Sequence, residues 1–140
     1  MRVFLDANVL FSASKSDGAL RLFLSDLQAA GHELIADAYV VEEARRNLER
    51  KYPNSLRDFE HLLRRVTIPP NLCPSLKQEI LPGLAEKDRP VLAAAIAHRC
   101  QTLLTGDKTH FGPFYGQTVE GMTIHSPATL ATYAHEGTDL

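Results

Sequence analysis

Two short strand-like segments, far apart in the chain, each lead directly to an aspartate. The first, residues 2–5, is followed by Asp6, and the second, residues 101–105, is followed by Gly106 and Asp107. In open parallel α/β sheets, the ligand crevice lies outside the carboxyl ends of the strands. We therefore expect both carboxylates to converge on one site, where their mutual repulsion requires a cation.

Length and composition are those of an ordinary globular protein. The 140 residues predict one domain over residues 1–140, and the net charge of −2 provides no overall attraction to nucleic acid. Cys73 and Cys100 are too few for a disulfide framework or a zinc site. No apolar run approaches the ~20 residues of a membrane helix. We expect a soluble cytoplasmic protein with reduced, mostly buried thiols.

Hydrophobic periodicity predicts strands alternating with helices, which is typical of a parallel, doubly wound α/β sandwich. Strands are expected at residues 2–5, 33–36, 66–68, up to Thr105, and at 122–125. Helices are expected at residues 17–30, 38–51, 55–65 and 88–100, and from residue 126 onward. Asp37 is placed to cap the second of these helices, and the glycine-rich stretch before residue 122 is expected to be a loop.

The helix expected at residues 88–100 adds a third acid, Asp88, on the same face as Leu92 and Ala95. Residues 91–97 are apolar on all sides, so this helix is either buried on most sides or packed against a partner. Together with the basic stretch upstream, this pattern suggests a homodimer.

A fourth acid must come from the helix at residues 38–51, where Glu42 and Glu43 compete. The apolar face of this helix is formed by Val40, Val41, Ala44 and Leu48. At about 100° per residue, Glu43 lies about 115° from the centre of that face and Glu42 about 145°. We therefore expect Glu43 at the edge of the core, where a cleft would lie, and Glu42 in solvent.

Carboxylates brought close together raise one another's pKa, and an all-oxygen site for magnesium or manganese resolves that conflict. Each acid also has a simpler interpretation. Asp88 can be a helix N-cap, and Asp6 and Asp107 can be loop residues that accept hydrogen bonds from their own backbone. Four such coincidences are less probable than one shared site.

Basic residues outnumber acidic ones between residues 45 and 65. This distribution fits two solvated helix faces, or a patch that follows RNA phosphates beside the acidic site. The candidates for RNA binding are Arg45, Arg46, Arg50 and Lys51.

Taken in order, four segments resemble the PIN-domain ribonucleases, among them the VapC-like toxins of prokaryotic toxin–antitoxin pairs. The segments are 5–10 (LDANVL), 42–48 (EEARRNL), 87–95 (KDRPVLAAA) and 104–107 (LTGD). The resemblance implies a three-layer α/β/α domain with a mainly parallel sheet of strand order 3-2-1-4-5. It also implies Mg²⁺- or Mn²⁺-dependent cleavage of single-stranded RNA, and an antitoxin as a possible partner.

By matching to this family, the catalytic, metal-holding residues are Asp6, Glu43, Asp88 and Asp107, with Asn8 and Thr105 as polar supports. One departure concerns the segment after the last aspartate. Many relatives carry a further acid there, whereas this chain has Lys108, Thr109 and His110. The number of metals therefore stays open, and His110 is either a surface loop histidine or a substrate contact.

Two other functions compete with a ribonuclease. Haloacid-dehalogenase-like phosphatases also begin with a strand that ends on Asp, but they need a second Asp two residues later, where this chain has Asn8. A degenerate module that binds RNA or a protein without cutting is the other alternative. The presence of all four acids argues against it, and metal-dependent cleavage of RNA separates the two.

Overall fold

A five-stranded sheet lies at the centre of the computed structural model, which describes residues 1–16, 18–70, 72 and 74–135. Its strands are β1 (Arg2–Leu5), β2 (Glu33–Ile35), β3 (Thr102–Leu104), β4 (Thr118–Val119) and β5 (Met122–His125). Their spatial order is β2-β1-β3-β5-β4. All neighbouring pairs are parallel except β4 and β5, so the predicted mainly parallel α/β sheet is confirmed.

The strand expected at residues 66–68 is reduced to a single bridge between Thr67 and Ile35. Two prolines, Pro69 and Pro70, follow at once and have no N–H group to extend a ladder. If this bridge is counted as the third strand along the chain and the antiparallel edge strand β4 is left out, the order is 3-2-1-4-5, as the resemblance implied.

The antiparallel strand β4 was not predicted and lies at the other edge of the sheet. It is joined to β5 by Glu120 and Gly121, both of which have positive φ angles of 52° and 80°. Positive φ at both central residues is the requirement of a type I′ hairpin turn. A glutamate is unusual at the first of these positions, and the segment before residue 122 was therefore predicted to be a loop.

Six α-helices are present in the described part of the chain: α1 (Ala7–Lys15), α2 (Ala19–Ala29), α3 (Ala38–Lys51), α4 (Leu56–Leu63), α5 (Arg89–Ala97) and α6 (Pro127–His135). Helix α3 matches its prediction, and Asp37 caps it by accepting a hydrogen bond from the Val40 amide at 3.2 Å. Helix α1 was missed. Its apolar side chains at positions 7, 9, 10 and 13 are buried, but Asn8, Ser12 and Ser14 are weak helix formers.

The sheet is flanked by helices, with α1 packed against α2, α3 and α4, and with α5 against β3. The apolar side chains at positions 91–95 of α5 are buried within this single chain, which accounts for the apolar sequence of that helix without a partner. The homodimer therefore stays a prediction. No helix of the described residues is both long and apolar enough to cross a membrane.

The two cysteines lie far from one another in the sequence. Cys100 is buried, and burial raises the pKa of its thiol to about 11. Cys73 lies outside the described residues, as does Asp17, where the first of the predicted helices was expected to begin.

Candidate active site

The candidate site lies where the strand order of the sheet reverses. Strand β1 has β2 on one side and β3 on the other, and its last residue, Leu5, is in register with Leu104 at the end of β3. The Asp6 amide continues this ladder by donating to the Leu104 carbonyl at 3.0 Å. Ligands of open α/β sheets bind in the crevice at such a switch point.

A cavity of about 270 Å³ opens at this edge of the sheet. All four predicted acids line it, from four different parts of the chain. The lining residues are Asp6, Asn8, Phe11, Tyr39, Glu43, Asn47, Lys51, Lys87, Asp88, Val91 and Asp107. The topology therefore brings the acidic constellation together in one place.

The floor of the cavity consists of Asp6, Asn8 and Thr105, which are held by internal hydrogen bonds. Asp6 is buried, and its Oδ1 accepts from the Ala7 amide at 2.8 Å, at the start of α1. Its Oδ2 accepts from the Thr105 hydroxyl at 2.8 Å. The Asn8 side chain lies farther from Asp6, at 3.5 Å, and accepts from the Gly106 amide at 2.8 Å. Asn8 and Thr105 are thus placed as supports.

Burial and charge repulsion raise the pKa of Asp6 above the usual value of an aspartate. Burial raises its pKa, the hydrogen bonds from Thr105 and Ala7 lower it, and the nearby charges of Glu43 and Asp88 raise it again, to about 6 overall. The cavity therefore contains a buried carboxylate whose ionised form a nearby positive charge would stabilise.

Asp88 and Asp107 line the cavity, and His110 contacts both of them; these three residues are here named the wall. One potential ligand atom from each of these three residues lies within 4.8 Å of the other two. Nδ1 of His110 is 2.8 Å from Oδ2 of Asp107 and 3.4 Å from Oδ2 of Asp88. The backbone amides of Thr109 and His110 donate to Oδ1 of Asp107 at 3.0 and 2.9 Å.

Asp88 is the acid with the least support from the protein. It occupies the N-cap position of α5, but its side chain makes no capping hydrogen bond, so capping does not explain its carboxylate. Its Oδ2 is buried and has no hydrogen-bond partner in the described part of the chain. Burial raises the pKa of Asp88, the charge of Asp107 raises it further, and His110 and Lys87 lower it.

Asp107 differs from Asp88 in this respect. Burial raises its pKa, but the hydrogen bonds from His110 and Thr109 outweigh burial and hold the pKa below its usual value. Asp6 and Asp107 both accept backbone hydrogen bonds. The interpretation that these aspartates bind their own backbone therefore holds for one carboxylate oxygen of each. Their second oxygens face Thr105 and His110 instead.

The wall fits a divalent cation, because the unpartnered oxygen of Asp88 lies beside two further potential ligands. Carboxylate oxygens are ligands that Mg²⁺ and Mn²⁺ prefer, and an imidazole nitrogen favours transition metals over Mg²⁺. The role of His110 was not predictable from periodicity, because this residue lies in a loop. Its location shortly after Asp107, in the segment where many PIN-domain relatives carry a further acid, was the feature that pointed to the site.

Glu43 and Glu42 are separated by the structure. Glu43 is half-buried and lines the cavity, whereas Glu42 is exposed and lies 3.8 Å from Arg45. This placement agrees with the helical rotation used above. The metal-holding role of Glu43 stays a prediction.

The four predicted RNA-binding residues are not equivalent. Lys51 lines the cavity, but Arg45 forms an ion pair with Glu60 and lies over the Phe59 ring. Arg46 lines a separate groove, and Arg50 is exposed. Lys87, which also lines the cavity, was not among the sequence candidates.

Comparison with known proteins agrees with this architecture. Residues 2–109 match the family model described as PIN domain. VapBC2 from Rickettsia felis, bound to a DNA fragment from its promoter, contains a chain of similar structure, with a TM-score of 0.64 and 16% identity over 90% of this chain and 98% of that one. VapBC-1 from nontypeable Haemophilus influenzae gives a TM-score of 0.57 and 14% identity over 91% and 99%. At these identities the two structures establish the fold alone. A search of curated proteins found no match.

Proposed function

Because the chain belongs to the PIN domain family, we propose that it is a divalent-metal-dependent endoribonuclease that cleaves single-stranded RNA. The observation that supports this proposal best is the convergence of Asp6, Glu43, Asp88 and Asp107 on one cavity at the switch point of the sheet. Membership of the PIN domain family also argues against a haloacid-dehalogenase-like phosphatase.

Asp6 of the floor, Asp88 and Asp107 of the wall, and Glu43 of α3 would hold the cation, Mg²⁺ or Mn²⁺. His110 would be an additional ligand on the wall. When bound, such a cation lowers the pKa of a water molecule and offsets the charge that builds up on a phosphate during attack. This chemistry would leave a 5′-phosphate and a 3′-hydroxyl.

The chain's own residues position these groups. The Thr105 hydroxyl donates to Asp6 and also accepts from the Asp107 amide at 3.2 Å, so a single side chain connects the floor with the wall. Lys51 and Lys87 line the same cavity and would attract the phosphates of the RNA strand. Binding and cleavage should therefore weaken as salt concentration rises.

We also propose that the protein acts as a toxin with an antitoxin partner, because the two similar structures are named VapBC complexes. A gene for a small protein next to this one, whose product co-purifies with the chain, would support this. A homodimer and a cytoplasmic location remain part of the proposal. Sedimentation at tens of micromolar that shows only a monomer would contradict the dimer.

The function is tested by incubating end-labelled single-stranded RNAs with the protein and Mg²⁺ or Mn²⁺. We expect cleavage that stops in EDTA and in Asp107→Asn, and products with 5′-phosphate ends. Cleavage that persists in EDTA, or products with 2′,3′-cyclic phosphates, would contradict the mechanism. RNA binding without cleavage under any metal would instead favour the non-catalytic module.

A further inference from the structure

Two aromatic rings and two lysines form a cluster at the mouth of the acidic cavity, here named the aromatic rim: Phe11, Lys15, Lys51 and Tyr52. The ring centroids of Phe11 and Tyr52 are 5.7 Å apart. Nζ of Lys15 lies 5.5 Å from the Phe11 centroid and 5.6 Å from that of Tyr52, and Nζ of Lys51 lies 5.9 Å from Phe11. Phe11 and Lys51 also line the cavity itself.

The rim is built by the elements that carry the acids. Phe11 and Lys15 lie one turn apart on α1, which begins directly after Asp6, and Lys51 and Tyr52 lie at the end of α3, which carries Glu43. At 1.5 Å per residue, Phe11 is about 7.5 Å along the axis from Asp6. This distance is on the order of one or two nucleotides of a strand whose phosphate occupies the cavity.

Core packing does not explain the position of Tyr52, since this side chain is 45% exposed at the cavity mouth. The Phe11 and Tyr52 rings are inclined by 58° and are therefore not stacked face to face. In a tilted pair neither ring fully covers the face of the other. The ammonium groups of Lys15 and Lys51 lie over these rings, so a planar base would reach a ring face by displacing a flexible lysine side chain.

Aromatic rings beside basic groups are the combination that proteins use to bind single-stranded nucleic acid. Unpaired bases stack on the rings, and cations contact the backbone phosphates. The acids of the cavity repel phosphates, so an RNA strand needs attractive contacts just outside them. The two ammonium groups of the rim lie where such contacts are required.

We propose that the aromatic rim is a subsite for one unpaired nucleobase of the RNA strand, with Tyr52 and Phe11 contacting the base and Lys15 and Lys51 contacting the adjacent phosphates. This inference rests on the proposed function. A paired base inside a duplex is stacked on both sides and cannot enter the subsite, so the rim would select single strands. Since every base has a π-face, the subsite would discriminate little between sequences.

The test measures binding by fluorescence anisotropy in the Asp107→Asn background, which prevents cleavage and removes one repulsive charge from the cavity. The probes are a short oligouridylate and an abasic oligomer of the same length and charge. Replacing Tyr52 with Ala should weaken oligouridylate binding by about fivefold to 150-fold, and should leave the abasic oligomer unchanged. Tyr52→Phe should retain most of the affinity for oligouridylate.

Two control variants complete the design. Tyr133→Ala removes an exposed tyrosine that does not line the cavity, so it should change neither affinity. Lys51→Ala should weaken the binding of both oligomers and reduce the salt dependence by about 0.7 in log–log slope. Equal losses for both probes with Tyr52→Ala, or no loss, would overturn the rim while leaving the nuclease proposal in place. If the Asp107→Asn protein without any further substitution bound neither probe, this would count against both proposals.

Discussion

The floor and the wall of the cavity hold their carboxylates in opposite ways. On the floor, both oxygens of Asp6 accept hydrogen bonds at 2.8 Å from groups of the protein itself. On the wall, Oδ2 of Asp88 is buried with no hydrogen-bond partner among the described residues, and Nδ1 of the His110 ring lies 3.4 Å away. The floor carboxylate therefore has its hydrogen bonds within the fold, whereas the wall keeps one buried oxygen without such a partner, and we propose that a cation satisfies it.

This difference has a physical consequence for each side. We expect the floor to keep its geometry with or without metal, because its contacts join the ends of β1 and β3 and the start of α1. The wall carries an unpaired buried oxygen, which costs free energy until a ligand satisfies it. Substitutions on the wall should therefore remove metal binding, and substitutions that loosen the floor should act indirectly and cost less.

The largest effect is expected for Asp88→Asn on the wall. Loss of even an outer partner of a metal ligand costs about 10–100-fold in activity, so loss of a ligand should cost at least about 100-fold in the rate of RNA cleavage. Glu86→Gln is the matched control, since Glu86 is an exposed acid in the same helical turn. Equal rates for the two variants would show that the wall is not the metal site.

Glu43→Gln extends the comparison to the side of the cavity formed by α3. We expect a loss of at least about tenfold in cleavage rate, and little change for Glu42→Gln on the adjacent, exposed position. The paired rate measurement checks the helical-face assignment directly. Similar losses of cleavage rate for both variants would contradict the assignment of Glu43, rather than Glu42, to the site.

The floor is tested by Thr105→Val, which keeps the shape of the side chain and removes the hydroxyl that connects Asp6 with the Asp107 amide. We expect about a tenfold weaker Mn²⁺ affinity, measured by calorimetry, with the fold retained. Thr102→Val, another buried threonine three residues earlier, should have no such effect. If Thr105→Val destroyed binding as completely as Asp88→Asn, the floor and the wall would not be separable.

The smallest effect concerns stability in EDTA. Burial raises the pKa of Asp6 from its usual value of 3.8 to about 6. The folded state therefore binds this proton more tightly than the unfolded state, so the stability gained from protonation is present below about pH 4 and is lost as pH rises through 6. Asp6→Asn should raise the free energy of unfolding at pH 7 by about 1–2 kcal/mol, less than the roughly 3 kcal/mol of the full shift because one oxygen acceptor is lost.

This gain should shrink as the pH falls toward 4, where the parent is protonated as well. Denaturant unfolding at both pH values measures it, with the exposed Asp26→Asn as control. A destabilised Asp6→Asn at pH 7 would mean that the hydrogen bonds to Asp6 outweigh the cost of burying its charge.

The floor and the four acids were predictable in position because sheet topology determines them. Strand ends of a parallel sheet meet at one edge, so Asp6 and Asp107 had to approach one another once the strands were recognised. The placement of Glu43 followed from helical rotation, although the angular difference from Glu42 was only about 30°. The roles of these residues remain predictions.

Features that depend on local turns and loops were not predictable in the same way. Helix α1 was missed because Asp6 was interpreted as a strand end or a loop residue, whereas its carboxylate caps this helix. The β4–β5 hairpin was hidden by Glu120 at a position that usually favours glycine or asparagine. His110 reaches the wall through a loop, and only the folded chain shows its contacts with two acids.

A Mn²⁺ titration monitored by the melting temperature tests the central claim most directly, namely that the wall is completed by a cation. A ligand that binds only the folded state stabilises it by about 2.7 kcal/mol at a hundred times its Kd, so the melting temperature of the parent should rise with Mn²⁺ concentration. Asp107→Asn should abolish the rise, His110→Ala should reduce it, and the exposed Asp58→Asn should leave it intact. A parent protein that shows no rise, or an Asp107→Asn variant that responds like the parent, would contradict the account.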